Sequence, residues 1–186
     1  MAVVNLHAGH NPDGKTACGA VGLIRESTEA RRIVKKIKKI LKKKGVTVHD
    51  CTCNDGRNQT DVLEKIVKKC NAHSVDLDIS IHFNSGREDR TGDNKVGGTE
   101  VLMRKEEGIK KTAGSLICKQ MEKVGFTNRG IKISQGLYFL NHTKAPAILV
   151  EVCFVDDKDD VKVYKVNKDA VARGIAKAIV KALGTD

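Results

Sequence analysis

Tryptophan is absent from this 186-residue chain, aromatic residues make up 3%, and there are only two prolines. So few aromatics argue against a base-stacking surface of the single-strand-binding type. No apolar run reaches the ~18 residues of a membrane helix, so no membrane insertion is expected. The start, Met1-Ala-Val-Val-Asn-Leu-His7, has no basic segment, long apolar stretch or small-residue cleavage site. It does not read as a secretory signal, and synthesis in the cytoplasm is the expectation. Six cysteines are too few for a disulfide-stapled scaffold, and reduced thiols are expected. Charge of one sign is plentiful: 34 basic against 23 acidic residues give a net +11. Nine of the basic groups fall within residues 31–44, and without them the balance is +2. An anionic partner follows, with nucleic acid and the phosphate polymers of a bacterial wall as two classes. A solvated amphipathic face is the plainer reading.

With 40% apolar residues the length suits one domain spanning residues 1–186, with no linker or repeat. Residues 2–8 read as a buried strand ending at Gly9-His10. Residues 26–44 carry Ala30, Ile33, Val34, Ile37, Ile40 and Leu41 at helical spacing, with Gly45 as the stop. Strands are expected at 46–48, 75–83, 98–103, 137–140 and 147–155. Helices are expected at 58–73, 107–123, 157–163 and 167–183, and a polar loop at 84–97. This alternation predicts an α/β fold: a single twisted, largely parallel (mixed) sheet of about six strands with helices on both faces.

Chemistry in such folds gathers at the carboxyl ends of the strands. His10, His82 and Glu151 fall at or near such ends, and Glu26 opens a helix beside the same edge. Two His and one Glu with a fourth position open form a common catalytic zinc set, here His10, Glu26 and His82. Taken singly, each has a plainer explanation. A strand-end His is often a hydrogen-bonded structural residue, and a first-turn Glu complements the helix dipole. Glu151 interrupts Ala-Ile-Leu-Val and Val-Cys-Phe-Val, so it needs a nearby cation, a buried Lys or Arg partner, or a raised pKa.

Four segments in order then carry a resemblance: Val4–Pro12, Gly22–Glu26, Ser80–Ser85 and Ile148–Phe154, with Gly98–Val101 and Asn128–Ile131 between them. Together they resemble the zinc N-acetylmuramoyl-L-alanine amidases of type 3, wall hydrolases and phage endolysins, over residues 3–180. The resemblance implies zinc on His10, Glu26 and His82, with Glu151 as the catalytic carboxylate. It favours Glu26 over Glu29, one turn later, because the pair Ile33-Val34 then falls in place. Asn84 and His142 are weighed as helpers, each with a surface or structural role as the alternative. Asn11-Pro12 stands where the family often has Gly-Gly, and His7 where it often has Asp. The implied partner is peptidoglycan and the implied reaction is hydrolysis of the amide between N-acetylmuramic acid and L-alanine. A monomer that does not bind nucleic acid is expected. The rival reading is a non-catalytic, basic nucleic-acid-binding protein with structural zinc at Cys51, Cys53 and Cys70; the Cys-x-Cys spacing fits zinc poorly.

Overall fold

The computed structural model describes residues 1–185. Six strands form one sheet: β1 (Val3–Ala8), β2 (Thr47–Asp50), β3 (Leu77–Asn84), β4 (Thr99–Met103), β5 (Asn128–Ile133) and β6 (Ala147–Phe154). Their order is β2-β1-β3-β6-β4-β5. Every neighbouring pair is parallel except β4 and β6. The described residues also form five helices: α1 (Glu26–Lys43), α2 (Gln59–Asn71), α3 (Gly108–Val124), α4 (Tyr138–His142) and α5 (Lys158–Ala182). The α/β class and the mixed six-stranded sheet are as the sequence predicts. Among the described residues, no helix is long and apolar enough to cross a membrane.

The sheet's two faces differ because successive strand side chains alternate. On one face, Val4, Leu6 and Ala8 of β1 and Leu77, Ile79, Ile81 and Phe83 of β3 join the main core with α1, α3 and α5. α1 contributes Ala30, Ile33, Val34, Ile37 and Leu41, the apolar stripe of its 3.6-residue period. The opposite face meets a smaller apolar cluster under α2 and α4, built on Val62, Ile66, Phe139 and Leu149. Here the alternate residues of β1 and β3 are polar: Asn5 and His7, then Asp78, Ser80, His82 and Asn84. A strand buried on both faces normally reads as a continuous apolar run. The polar half of these strands marks the side on which the site lies.

One expectation fails locally. Residues 137–140 are not a strand: Tyr138–His142 is a one-turn helix whose Phe139 and Leu140 are buried in the smaller cluster. A short apolar run does not distinguish strand from helix by periodicity. The outer strand is β5 instead, whose Asn-Arg-Gly-Ile-Lys-Ile has no fully buried residue. The two helices expected at 157–163 and 167–183 are both present as the two halves of α5, which meet at the non-helical Asn167 (φ −117°, ψ 17°), where the side chain donates to the Val163 carbonyl at 3.0 Å.

Candidate metal centre

Three elements deliver the predicted ligands to one point. His82 comes from the carboxyl end of β3, Glu26 from the first turn of α1, and His10 from the turn after β1. Glu26 Oε1 lies 2.9 Å from His82 Nδ1 and 3.3 Å from His10 Nε2. The ligand atoms of all three lie within 4.8 Å of one another, and the imidazoles meet edge to face at 4.9 Å. The Glu26 carboxylate is held on both oxygens: Ala20 N–H donates to Oε2 at 2.8 Å and Phe83 N–H to Oε1 at 3.2 Å. Burial works against its charge, but the hydrogen bonds from His10 and His82 prevail and keep the carboxyl well below the usual range.

The backbone around this cluster leaves no slack. His10 adopts φ 63°, a conformation uncommon for a residue with a side chain. Arg31 pins that turn: its Nη2 donates to the His10 carbonyl at 2.8 Å and to the Cys53 carbonyl at 2.7 Å. The sequence reading counted Arg31 only as one charge of a basic helix. A Cβ on Gly9 would overlap the His82 ring, and one on Gly19 (φ 79°) would lie 2.5 Å from Glu26 Oε2. These two glycines let the three ligands close together.

Glu29 is elsewhere. It accepts from Arg32 at 2.6 Å, from the Tyr164 hydroxyl at 2.8 Å and from Lys168 at 3.0 Å, tying α1 to α5. Glu26 is the glutamate that meets the histidines.

The cluster borders a cavity of about 580 Å³. Val62, Leu63 and Ile66 of α2 and Leu137, Tyr138 and Phe139 around α4 form its apolar wall. Glu151 lines the same space, in register with His82 on the neighbouring strand, but is not one of the clustered ligand atoms. Its Oε2 is buried without a hydrogen-bond partner among the described residues. Burial, followed by repulsion from Glu26 and Glu100, pushes its carboxyl well above the usual range. Glu100 faces Glu151 across the β4–β6 pair and is anchored by Arg129 at 2.8 Å and Asn84 at 2.9 Å.

Two further residues line the cavity, Ser80 and His7, register partners on β3 and β1; the sequence reading noted His7 only as a departure from the family's Asp and gave Ser80 no role. His7 Nε2 and Ser80 Oγ are buried with no hydrogen-bond partner among the described residues. Burial, helped by nearby His82, lowers the His7 pKa to about 3, so its ring is neutral. A histidine inside the apolar strand Val-Val-Asn-Leu-His-Ala was the available signal. Of the proposed helpers, Asn84 borders the cavity. His142 does not; its Nδ1 lies 2.9 Å from the Tyr138 carbonyl at the end of α4.

The rival metal reading finds no support. Cys51, Cys53 and Cys70 are buried in the smaller apolar cluster. Among the described residues, ligand atoms converge only at His10/Glu26/His82 and at the acidic trio Asp89/Asp93/Asp159.

Two imidazoles and a carboxylate beside a desolvated second carboxylate, at the carboxyl edge of a parallel sheet, make a site suited to hydrolysis. The sequence profile described as N-acetylmuramoyl-L-alanine amidase (Amidase_3) matches residues 4–184, and the chain belongs to that family. It is 31% identical over 195 residues to the endolysin of Bacillus phage SPP1, covering 97% of this chain and 66% of that protein. The catalytic domain of the CD27L endolysin targeting Clostridia difficile superposes with a TM-score of 0.84 at 24% identity, covering 97% of this chain and 98% of that one. The catalytic domain of CwlV, an N-acetylmuramoyl-L-alanine amidase from Bacillus (Paenibacillus) polymyxa var. colistinus, gives 0.79 at 26% identity with both chains fully covered. The chain spans about half the length of the curated Clostridium perfringens relatives that it matches.

Proposed function

We propose that residues 1–186 form one catalytic unit that hydrolyses the amide between the lactyl group of N-acetylmuramic acid and L-alanine in peptidoglycan, with zinc as its cofactor. The observation that carries this reading is the convergence of His10, Glu26 and His82 beside Glu151. The donor set fits zinc: two imidazole nitrogens and one carboxylate oxygen are ligand types that catalytic zinc takes. The glycine cradle at Gly9 and Gly19 fits the same purpose, since any side chain there would displace a ligand. These three residues would hold the zinc, which would supply Lewis-acid polarisation of a carbonyl and a water pKa lowered to about 7.

The chain's own groups do the rest. Glu151 takes a proton from the attacking water and passes it to the departing alanine nitrogen. Desolvation suits it to this role, because burial that raises the pKa makes the carboxylate a stronger base toward the water proton. Asn84, Glu100 and Arg129 fix the strand edge on which Glu151 stands. The apolar wall from α2 and α4 receives the methyl-bearing lactyl and alanyl groups and excludes water from them.

The test is metal analysis of the purified protein together with lysis of bacterial walls, with and without a chelator. About one zinc per chain is expected, with chelator-sensitive release of a new N-terminal alanine. Activity unchanged after complete removal of metal would overturn the zinc reading. Release of reducing sugar ends without new alanine amines would overturn the bond assignment.

A further inference from the structure

The chain's positive charge is concentrated in one place. Residues 31–44 and helix α5 together carry sixteen of the 34 basic residues but three of the 23 acidic ones. The remainder holds eighteen basic and twenty acidic residues and is close to neutral. α1 and α5 lie side by side: Glu29 of α1 accepts from Tyr164 and Lys168 of α5, and Lys36 pairs with Asp169. Both pack on the apolar face of the sheet, away from the cavity under α2 and α4. The net charge therefore forms one slab on the back of the molecule.

Part of that charge is spent within the fold. Arg31 holds backbone carbonyls, while Arg32, Lys36, Lys38 and Lys168 have acidic partners. Lys35, Lys39, Lys42 and Lys43 on α1 and Lys165 and Lys177 on α5 are exposed and make no ion pair among the described residues. Where α5 kinks at Asn167, Lys36, Lys165, Lys168 and Arg173, with one acid, Asp169, paired to Lys36, line a depression of about 480 Å³ between the two helices.

We infer that the α1–α5 face binds a linear phosphodiester polymer of the bacterial wall. The choice of polymer rests on the amidase reading; the charge distribution stands without it. The free groups are mostly lysines, hydrated point charges that tolerate variable phosphate spacing. Tyr164 is the only aromatic residue of the two helices and is fully buried. The face therefore offers no platform on which nucleic-acid bases could stack. A polymer held on the back leaves the cavity free for the sugar–peptide amide and raises the local substrate concentration.

The test is co-sedimentation with Gram-positive walls before and after hydrofluoric acid removes their phosphodiester polymers. The wild-type chain binds intact walls at least about tenfold better than extracted ones at low salt, and the gap closes at high salt. Lys39→Gln/Lys43→Gln/Lys165→Gln/Lys177→Gln abolishes the gap, and arginines at the same four positions restore it. Lys68→Gln/Lys105→Gln/Lys132→Gln/Lys144→Gln, with the same change in net charge elsewhere on the surface, leaves it intact. Equal binding to both walls, equal loss in both glutamine variants, or stronger displacement by duplex DNA than by the extracted polymer overturns the inference. Cleavage of a soluble muramoyl peptide, run on every variant, separates the two readings. If wild type fails to cleave it, the amidase reading falls while the polymer gap stands. If cleavage persists and the gap is absent, this inference falls alone.

Discussion

Oε1 of Glu26 sits 2.9 Å from Nδ1 of His82, a residue fifty-six positions further along the chain. α1 starts at the carboxyl edge where β3 ends, so the first-turn carboxylate of one meets the strand-end imidazole of the other. His10 closes the set from the third element. Removing any of the three should remove the metal. His10→Ala, Glu26→Gln and His82→Ala are expected to purify folded, with zinc content near zero and wall lysis lost. Full zinc in His82→Ala, read by elemental analysis, would place the metal elsewhere.

The glycine cradle gives a sharper test, because it touches no ligand chemistry. Gly19→Ala adds one methyl that meets Glu26 Oε2 and forces an L-residue to φ 79°. Zinc affinity should fall roughly 10–100-fold, the usual cost of disturbing a group that orients a ligand. Gly45→Ala, where φ is 76° but a Cβ would meet nothing within 4 Å, should leave affinity unchanged. Equal losses in the two variants would point to backbone strain rather than ligand crowding.

Glu26 and Glu29 should separate cleanly. Glu29→Gln loses charge-assisted hydrogen bonds to Arg32 and Lys168 and weakens that to Tyr164, costing roughly 1–3 kcal/mol of stability. Its zinc content and activity per folded molecule should match wild type. Denaturant unfolding with metal analysis of the same samples checks both halves.

Much of the site was legible from residue types. His10, His82 and Glu151 stood out because they closed or interrupted apolar strands; Glu26 stood out because it opened the helix beside the same edge, and the family resemblance chose it over Glu29. Arg31 was not legible, since its five donors are aimed at carbonyls that only the fold brings near. β5 was missed because a half-exposed outer strand carries no apolar alternation. Residues 137–140 misled because one turn of helix and a short strand look alike in four apolar residues. The sorting of charge onto one face was half visible: residues 31–44 stood out, but their adjacency to α5 depends on packing.

Asp78 lies fully buried on the polar face, with Asn5 donating to Oδ1 at 2.6 Å and Oδ2 without a hydrogen-bond partner among the described residues. Burial outweighs the Asn5 hydrogen bond and raises its pKa to about 6. A carboxyl whose folded pKa is raised favours the fold while protonated, below about pH 4, and loses that contribution as pH rises through about 6. Asp78→Asn should therefore stabilise the protein by up to about 2 kcal/mol above pH 7 and by little at pH 4. Thermal unfolding at the two pH values reads this. A gain at pH 4 as large as at pH 7.5 would contradict it.

The central claim is that Glu151 carries the proton and His10, Glu26 and His82 carry the metal. Glu151→Gln keeps the size and shape of the side chain but cannot accept a proton. Zinc content and amidase turnover measured on one preparation of this variant test the claim most directly. The account predicts full zinc, an unchanged fold and turnover reduced about 10²–10⁴-fold. Near-normal turnover, or loss of zinc to the level of His10→Ala, would contradict it.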